Sequence, residues 1–254
     1  MRAALTIARK ILALLSLLPA LALASESGLK LDQAPIDPYD SASLQRGART
    51  FVNYCLNCHS AGYMRYNRLQ DIGLTETQIR DNLVLAEAKV GDLMKIAMDA
   101  KDAKEWFGTT PPDLTVIARS RSSTAGSGSD WLYTYLRSFY RDSTRPTGWN
   151  NVVYPNVSMP HALWQLQGEQ VLKEAQVQGP GYMKTVHLLA LDKPGQMKPV
   201  EYDQLVADLV NYMTYMSEPA RHSRVTLGLY ALIVIFILIA LAYALKKEFW
   251  KDVH

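Results

Sequence analysis

Both cysteines of the chain lie in one five-residue run, Cys55-Leu56-Asn57-Cys58-His59. Two thiols separated by two residues and followed at once by an imidazole suit one chemistry well: thioether bonds to the two vinyl groups of a haem, with the histidine on its iron. Other chemistries share the spacing but not the setting. A thioredoxin-like dithiol follows a strand in a βαβ pattern, and half a zinc site needs a second ligand pair. A disulfide between cysteines this close would close a tiny loop and stabilise little. The sequence before Cys55 reads as helix, no parallel-sheet alternation is visible, and no further cysteine exists for a thiolate zinc site. A disulfide also leaves His59 unexplained. One covalently bound haem c is the expectation.

A second axial ligand must then come from elsewhere in the chain. Met159, Met183 and Met197 in predicted loops, Met64 just behind the motif, and His161 or His187 are the candidates. Met94, Met98, Met213 and Met216 fall at helical spacing on core faces, where methionine usually packs. Met159 is favoured, with His161 next, because Tyr154-Pro-Asn-Val-Ser-Met-Pro is a stretch whose irregular backbone can bring sulfur to iron. A His/Met pair raises the reduction potential relative to two histidines. With both axial positions filled, no site is left for oxygen or peroxide, and electron transfer is the expected role.

The elements that must position these residues read as mainly α with long loops. A helix capped at Ser41 or Ser43 carries Leu44, Ala48, Phe51 and Val52 on one face and delivers the chain to Cys55. A second helical pattern covers Thr75 to Met98, with Gly91 as a break. Gly108-Thr-Thr-Pro-Pro-Asp-Leu is a turn into a short helix ending near Arg121. After the Ser/Gly loop beginning at Ser122, an aromatic helix runs from Asp130 to Tyr140. Residues 145–162 are expected to be irregular, and a long ordered loop of that kind suggests function. Within the polar region that follows, Val186 to Leu191 reads as a strand. The last helix of this part runs from Val200 to Ser217, burying Leu205, Val206, Leu209, Tyr212, Met213 and Met216.

The two ends set the topology. Residues 1–24 combine a basic start, an apolar run from Ile11 and an Ala22-Leu23-Ala24 finish, the pattern of a cleaved secretory signal peptide. Residues 223–246 form the expected transmembrane anchor: Val225 to Leu245 carries no charge and, as a helix, covers a roughly 30 Å hydrocarbon core. Basic residues flank both sides of this span, so the export signal decides orientation. Residues 25–222 are placed in the periplasm and 247–254 form a cytoplasmic tail. The formal charge is +3, from 27 basic and 24 acidic residues. Arg2, Arg9 and Lys10 lie in the leader, so the rest is balanced, with no basic footprint for nucleic acid. A hydrophobic fraction of 48% supplies a core.

At this point the sequence resembles cytochrome c1, the haem c subunit of the cytochrome bc1 complex, in its short proteobacterial form. The matching segments are Leu44-Gln-Arg-Gly-Ala-Arg-Thr-Phe-Val-Asn-Tyr-Cys-Leu-Asn-Cys-His-Ser, Tyr63-Met-Arg-Tyr, Pro111-Pro-Asp-Leu with Ala118-Arg-Ser-Arg, Met159-Pro160, and the single anchor after Ser217-Glu-Pro. They span most of the mature chain, and their order is far more specific than the cysteine motif alone. The resemblance implies a c-type cytochrome fold with long loops and insertions, plus one C-terminal transmembrane helix. It implies that Cys55 and Cys58 hold the haem covalently and that His59 and Met159 are its axial ligands. Arg121 would neutralise a haem propionate, Trp131 would line the haem, and Pro112 counts with them among the haem-binding residues. Gly47 and Phe51 would cross the last soluble helix near Leu209 and Tyr212.

The family's role is to take an electron from the Rieske iron-sulfur protein and pass it to a periplasmic c-type cytochrome or an equivalent acceptor. It does so within a dimeric multi-subunit complex that includes cytochrome b, in the bacterial inner membrane, and is not an enzyme as an isolated chain. The extra cysteines, longer insertions and dense acidic runs of some mitochondrial members are absent here. Two alternatives belong to other classes: a stand-alone membrane-anchored cytochrome, and a haem peroxidase, which needs an open iron position and a distal acid or base.

Overall fold

Asp40 starts the first helix, one residue before the expected cap, its carboxylate accepting the Ser43 N–H at 3.0 Å. The computed structural model describes residues 30–84, 88–179 and 182–251; residues 1–24, expected to be a signal peptide, lie outside them. Helix α1 (Ser41–Thr50) runs directly into a π-helical turn over Phe51–Cys55, where the Leu56 N–H reaches back five residues to the Phe51 carbonyl at 3.0 Å. Such single π turns concentrate at functional sites, and this one ends on the first cysteine.

The same helix supplies the principal crossing of the fold. Helix α7 (Pro199–Ser217), opened by a proline in its first turn, packs across α1 at Gly47. A Cβ there would lie inside the Asp208 carbonyl oxygen and 2.7 Å from Tyr212 Cβ. Phe51 and Tyr212, both fully buried, meet with ring centroids 5.6 Å apart. Burying each such side chain contributes about 1.5–3 kcal/mol. Arg46 clamps the crossing through two hydrogen bonds to Asp208, at 2.6 and 3.0 Å. The expected pairing of Gly47 and Phe51 with α7 is therefore what packs.

Between these two helices the chain is less regular than its apolar spacing suggests. The pattern over Thr75–Met98 is not one helix. Helix α2 covers Glu76–Asn82 behind a Thr75/Gln78 capping box. Leu93–Met94 is instead a short strand, β2, antiparallel to β1 (Ala61–Arg65). The reason is tertiary: the backbone carbonyls of Val90 and Asp92 accept the Asn67 and Tyr66 N–H groups, so pairing with the 61–67 segment replaces helix where Gly91 breaks it. Met94 is a core residue as expected, but on a strand. Helix α3 (Ala100–Phe107) was not expected; it is only eight residues long and buries only Ala103, although its Asp99 cap and the left-handed Gly108 at its end are in the sequence.

Helix α4 (Ile117–Ser120) ends at Arg121 as expected. Helix α5 (Gly128–Arg137), started by a Ser127/Asp130 capping box, is shorter than the predicted Asp130–Tyr140. Phe139–Arg141 leaves it as strand β3 to pair with β4 (Trp149–Asn151), the one regular piece in the otherwise irregular 145–162 stretch. After the short helix α6 (Trp164–Gln167) comes a long antiparallel hairpin of β5 (Gly168–Gly179) and β6 (Tyr182–Pro194). The predicted strand at Val186–Leu191 lies within β6. Helix α8 (Arg221–Phe249) follows the Glu218–Ala220 break, with an Arg224–Glu218 ion pair across that break. The most apolar 18-residue stretch of Ser223–Phe249 has mean hydropathy 2.8 and is not buried against any of the described residues, which fits a single transmembrane helix.

Candidate functional site

The π turn tightens at once into the cysteine motif, whose Cys58 and His59 N–H groups both donate to the Cys55 carbonyl, at 3.1 and 2.9 Å. That loop turns the His59 ring to Pro112, with Nδ1 2.8 Å from the Pro112 carbonyl oxygen. A carbonyl only accepts, so Nδ1 carries the proton and Nε2 presents its lone pair. Burial draws the His59 pKa below its ordinary value, partly opposed by the Pro112 hydrogen bond and by Asp113, which favours the neutral ring.

Pro112 is itself held in place. Asp113 accepts the Gly62 N–H at 2.6 Å and both the N–H and hydroxyl of Thr115, at 2.8 and 2.6 Å, while the Leu114 N–H donates to the Ser60 carbonyl. The Pro-Pro-Asp-Leu segment is thereby laced to the residues just after the motif. Burial and the neighbouring Cys58 push the Cys55 thiol up to about 12. Redox-active dithiols depend on the opposite shift, so the disulfide-exchange alternative is disfavoured on electrostatic grounds as well as on fold.

Cys55, Cys58 and His59 open onto a cleft of about 490 Å³ that also meets Met159, Arg121, Trp131 and Pro112. All seven residues singled out from the sequence therefore share one site. Its volume is in the ~300–1,000 Å³ range typical of cofactor pockets. Leu114, Ile117, Leu132, Leu136 and Val157 line it, an apolar wall suited to a porphyrin face. A cysteine pair, a neutral imidazole with a free Nε2 and a thioether on an apolar cleft are a donor set that fits haem c.

A row of rings forms part of this site. The Arg121 guanidinium lies 4.6 Å from the Trp131 ring centroid and 5.7 Å from that of Tyr154. Trp131 stacks on Tyr135 at 4.7 Å and 14°, and Tyr135 meets Phe139 edge-on at 5.0 Å. Trp131 and Tyr135 stand four residues apart on one side of α5, and Phe139, the first residue of β3, continues the row. The Tyr135 hydroxyl donates to Met159 Sδ at 3.3 Å, and burial holds that hydroxyl well above its ordinary pKa. Tyr135 is a cleft residue that reading the sequence did not single out, although the aromatic spacing was visible.

The other candidate ligands separate by environment. His161 lines the cleft but is committed elsewhere: its Nε2 lies 2.6 Å from Gln167 Oε1, and its ring stacks on Phe139 at 4.8 Å and 3°. Burial lowers its pKa to about 4. Met64 is a core residue of β1, and Met197 packs against the core beside α6. Met213 both packs in α7 and touches the cleft. Met183 and His187 stand on β6, and their side chains lie outside the described residues.

Two helices crossing at a glycine, a Cys-x-x-Cys-His turn at the end of the first and an apolar cleft beneath it define a c-type cytochrome fold. The chain belongs to the cytochrome C1 family, whose model matches residues 32–99 and 85–253. It is 49% identical over 241 residues to cytochrome c1 of Allochromatium vinosum, covering 94% of this chain and 96% of that one. It is 50% identical over 238 residues to a protein of Nitrosomonas europaea named ammonia monooxygenase gamma subunit, covering 94% and 95%. Cytochrome c1 of Rhodospirillum rubrum is 25% identical over 244 residues. Family membership makes the chain a haem subunit of the bc1 type, an electron-transfer component and not a self-contained catalyst, with α8 as its membrane helix.

Proposed function

We propose that the chain carries single electrons through one haem c. Cys55 and Cys58 would hold it by thioether bonds, and His59 Nε2 and Met159 Sδ would ligate its iron. Haem c supplies a one-electron ferric/ferrous couple. The chain's own residues do the rest. The Pro112 carbonyl fixes the His59 tautomer, the Arg121 guanidinium would offset a propionate charge, Trp131 would cover the haem, and the apolar wall would keep water from its iron. The observation that carries this reading is the convergence of Cys55, Cys58, His59 and Met159 on one apolar cleft.

In this reading the electron arrives from a Rieske iron-sulfur protein and leaves to a periplasmic c-type cytochrome or an equivalent acceptor. The complex is dimeric and includes cytochrome b. The leader at residues 1–24 supports placing the haem domain on the periplasmic side of the inner membrane.

The test is the visible spectrum of the detergent-solubilised protein, oxidised and reduced, for wild type and Met159→Leu. A six-coordinate spectrum with the weak sulfur-to-iron band, lost in the variant together with a gain of carbon monoxide binding, is expected. An unchanged variant spectrum removes Met159 as ligand. The name of the Nitrosomonas europaea relative suggests a second reading, an oxygenase component. That role and a peroxidase role both need an open iron position, so carbon monoxide binding by the wild type would favour them.

A further inference from the structure

We infer that the Tyr135 hydroxyl sets the reduction potential of the site by donating its hydrogen bond to Met159 Sδ. The inference rests on the proposed ligation by Met159. A thioether sulfur has two lone pairs; with one directed to iron, the other is free to accept an O–H. The observed bond, 3.3 Å from Tyr135 Oη to Sδ, supplies that donor. Among the described residues, Met159 Sδ is the sole hydrogen-bond acceptor of this hydroxyl.

The donor is fixed, which separates a tuning contact from an incidental one. The Tyr135 ring is stacked on Trp131 and held edge-on by Phe139. Helix α5 is tied to α7 by Tyr202 Oη donating to the Leu136 carbonyl at 2.8 Å, and by Ser129 and Thr214 hydroxyls 2.8 Å apart. A hydrogen bond to sulfur withdraws electron density and makes it a poorer donor to iron. The ferric state, with the greater positive charge, loses more than the ferrous state, so the bond raises the potential. Tyr135 acts through Met159 and is a positioning residue.

Redox titration of the haem-loaded, detergent-solubilised chain tests this, wild type against Tyr135→Phe, which keeps the ring and removes only the hydroxyl. The sulfur-to-iron band is expected to remain. The reduced-to-oxidised ratio at fixed poise is expected to fall about three- to tenfold, the scale of one hydrogen bond; tenfold corresponds to about 59 mV for one electron. Placing 3-fluorotyrosine at position 135, a stronger donor in nearly the same shape, is expected to move the potential the other way. An unmoved potential in both variants overturns the inference, and so does a shift of the same sign in both, which marks packing. Loss of the band in Tyr135→Phe overturns it too, since the hydroxyl would then hold the sulfur on iron instead of tuning it. Met159→Leu keeps the two readings apart. If that variant retains the band, the ligand assignment itself fails; if it loses the band while Tyr135→Phe leaves the potential unmoved, only the tuning role fails.

Discussion

At the scale of single residues, the site depends on side chains that never reach the cleft. Asp113 is the clearest case, because its carboxylate collects the Gly62 N–H and both donors of Thr115 and so fixes the backbone that presents the Pro112 carbonyl to His59. Thr115 is buried, so removing the carboxylate leaves a buried hydroxyl that has lost its acceptor. Asp113→Ala is expected to cost about 1.5–3 kcal/mol, the scale for losing hydrogen bonds to a charged group, measured by chemical denaturation of the solubilised protein. It is also expected to shift the haem spectrum modestly, because the Nδ1 partner of His59 loses its support. A variant as stable as wild type would mean that Ser60–Leu114 pairing alone holds the segment.

At the scale of elements, the crossing of α1 and α7 decides whether the cysteine motif arrives where the cleft needs it. Gly47 is the point of closest approach, and both atoms that a Cβ would meet there, the Asp208 carbonyl oxygen and Tyr212 Cβ, belong to rigid parts of a buried helix. Neither can swing aside like the end of a long side chain. Gly47→Ala is therefore expected to destabilise by about 1–3 kcal/mol or more, as overpacking does, and to lower the yield of haem-loaded protein. A melting midpoint equal to wild type would show that the helices separate without cost.

Elements like these two were legible because long helices announce themselves by apolar spacing: Leu44, Ala48, Phe51 and Val52 in the first, Val206, Leu209, Tyr212 and Met213 in the last. The elements between them were not. Leu93 and Met94 carry helix-like spacing but are taken up by pairing with β1, a contact set by residues some thirty positions away. Helix α3 spans only Ala100–Phe107 and buries a single alanine, two turns being too short a window for helical spacing to stand out. The cleft residues were legible one by one from chemistry and family pattern, whereas Tyr135 gains its role only from where α5 sets it against Met159. That is a distance, and no spacing encodes it.

At the scale of the whole molecule, the chain divides into a domain that makes its own core and a helix that contributes nothing to that core. The segment Ser223–Phe249 has no part of its most apolar stretch buried against the domain, whereas every residue assigned to the cleft lies well before it. The fully buried side chains, from Phe51 to Met216, likewise precede it. An apolar surface of that length is unfavourable in water and favourable in a bilayer, so its job is attachment. Deleting residues 221–254 while keeping the leader is expected to release the protein into the soluble periplasmic fraction with its absorption bands unchanged. Its unfolding free energy should lie within about 0.5 kcal/mol of the detergent-solubilised parent, the usual range for changes away from the core. Amino-terminal sequencing of that product tests the leader at the same time, with Ser25 expected as the first residue. A truncated protein that stays with the membrane despite a processed terminus would mean that the haem domain has a membrane contact of its own. One that no longer folds would mean that α8 supports the α1–α7 crossing and is not merely its tether.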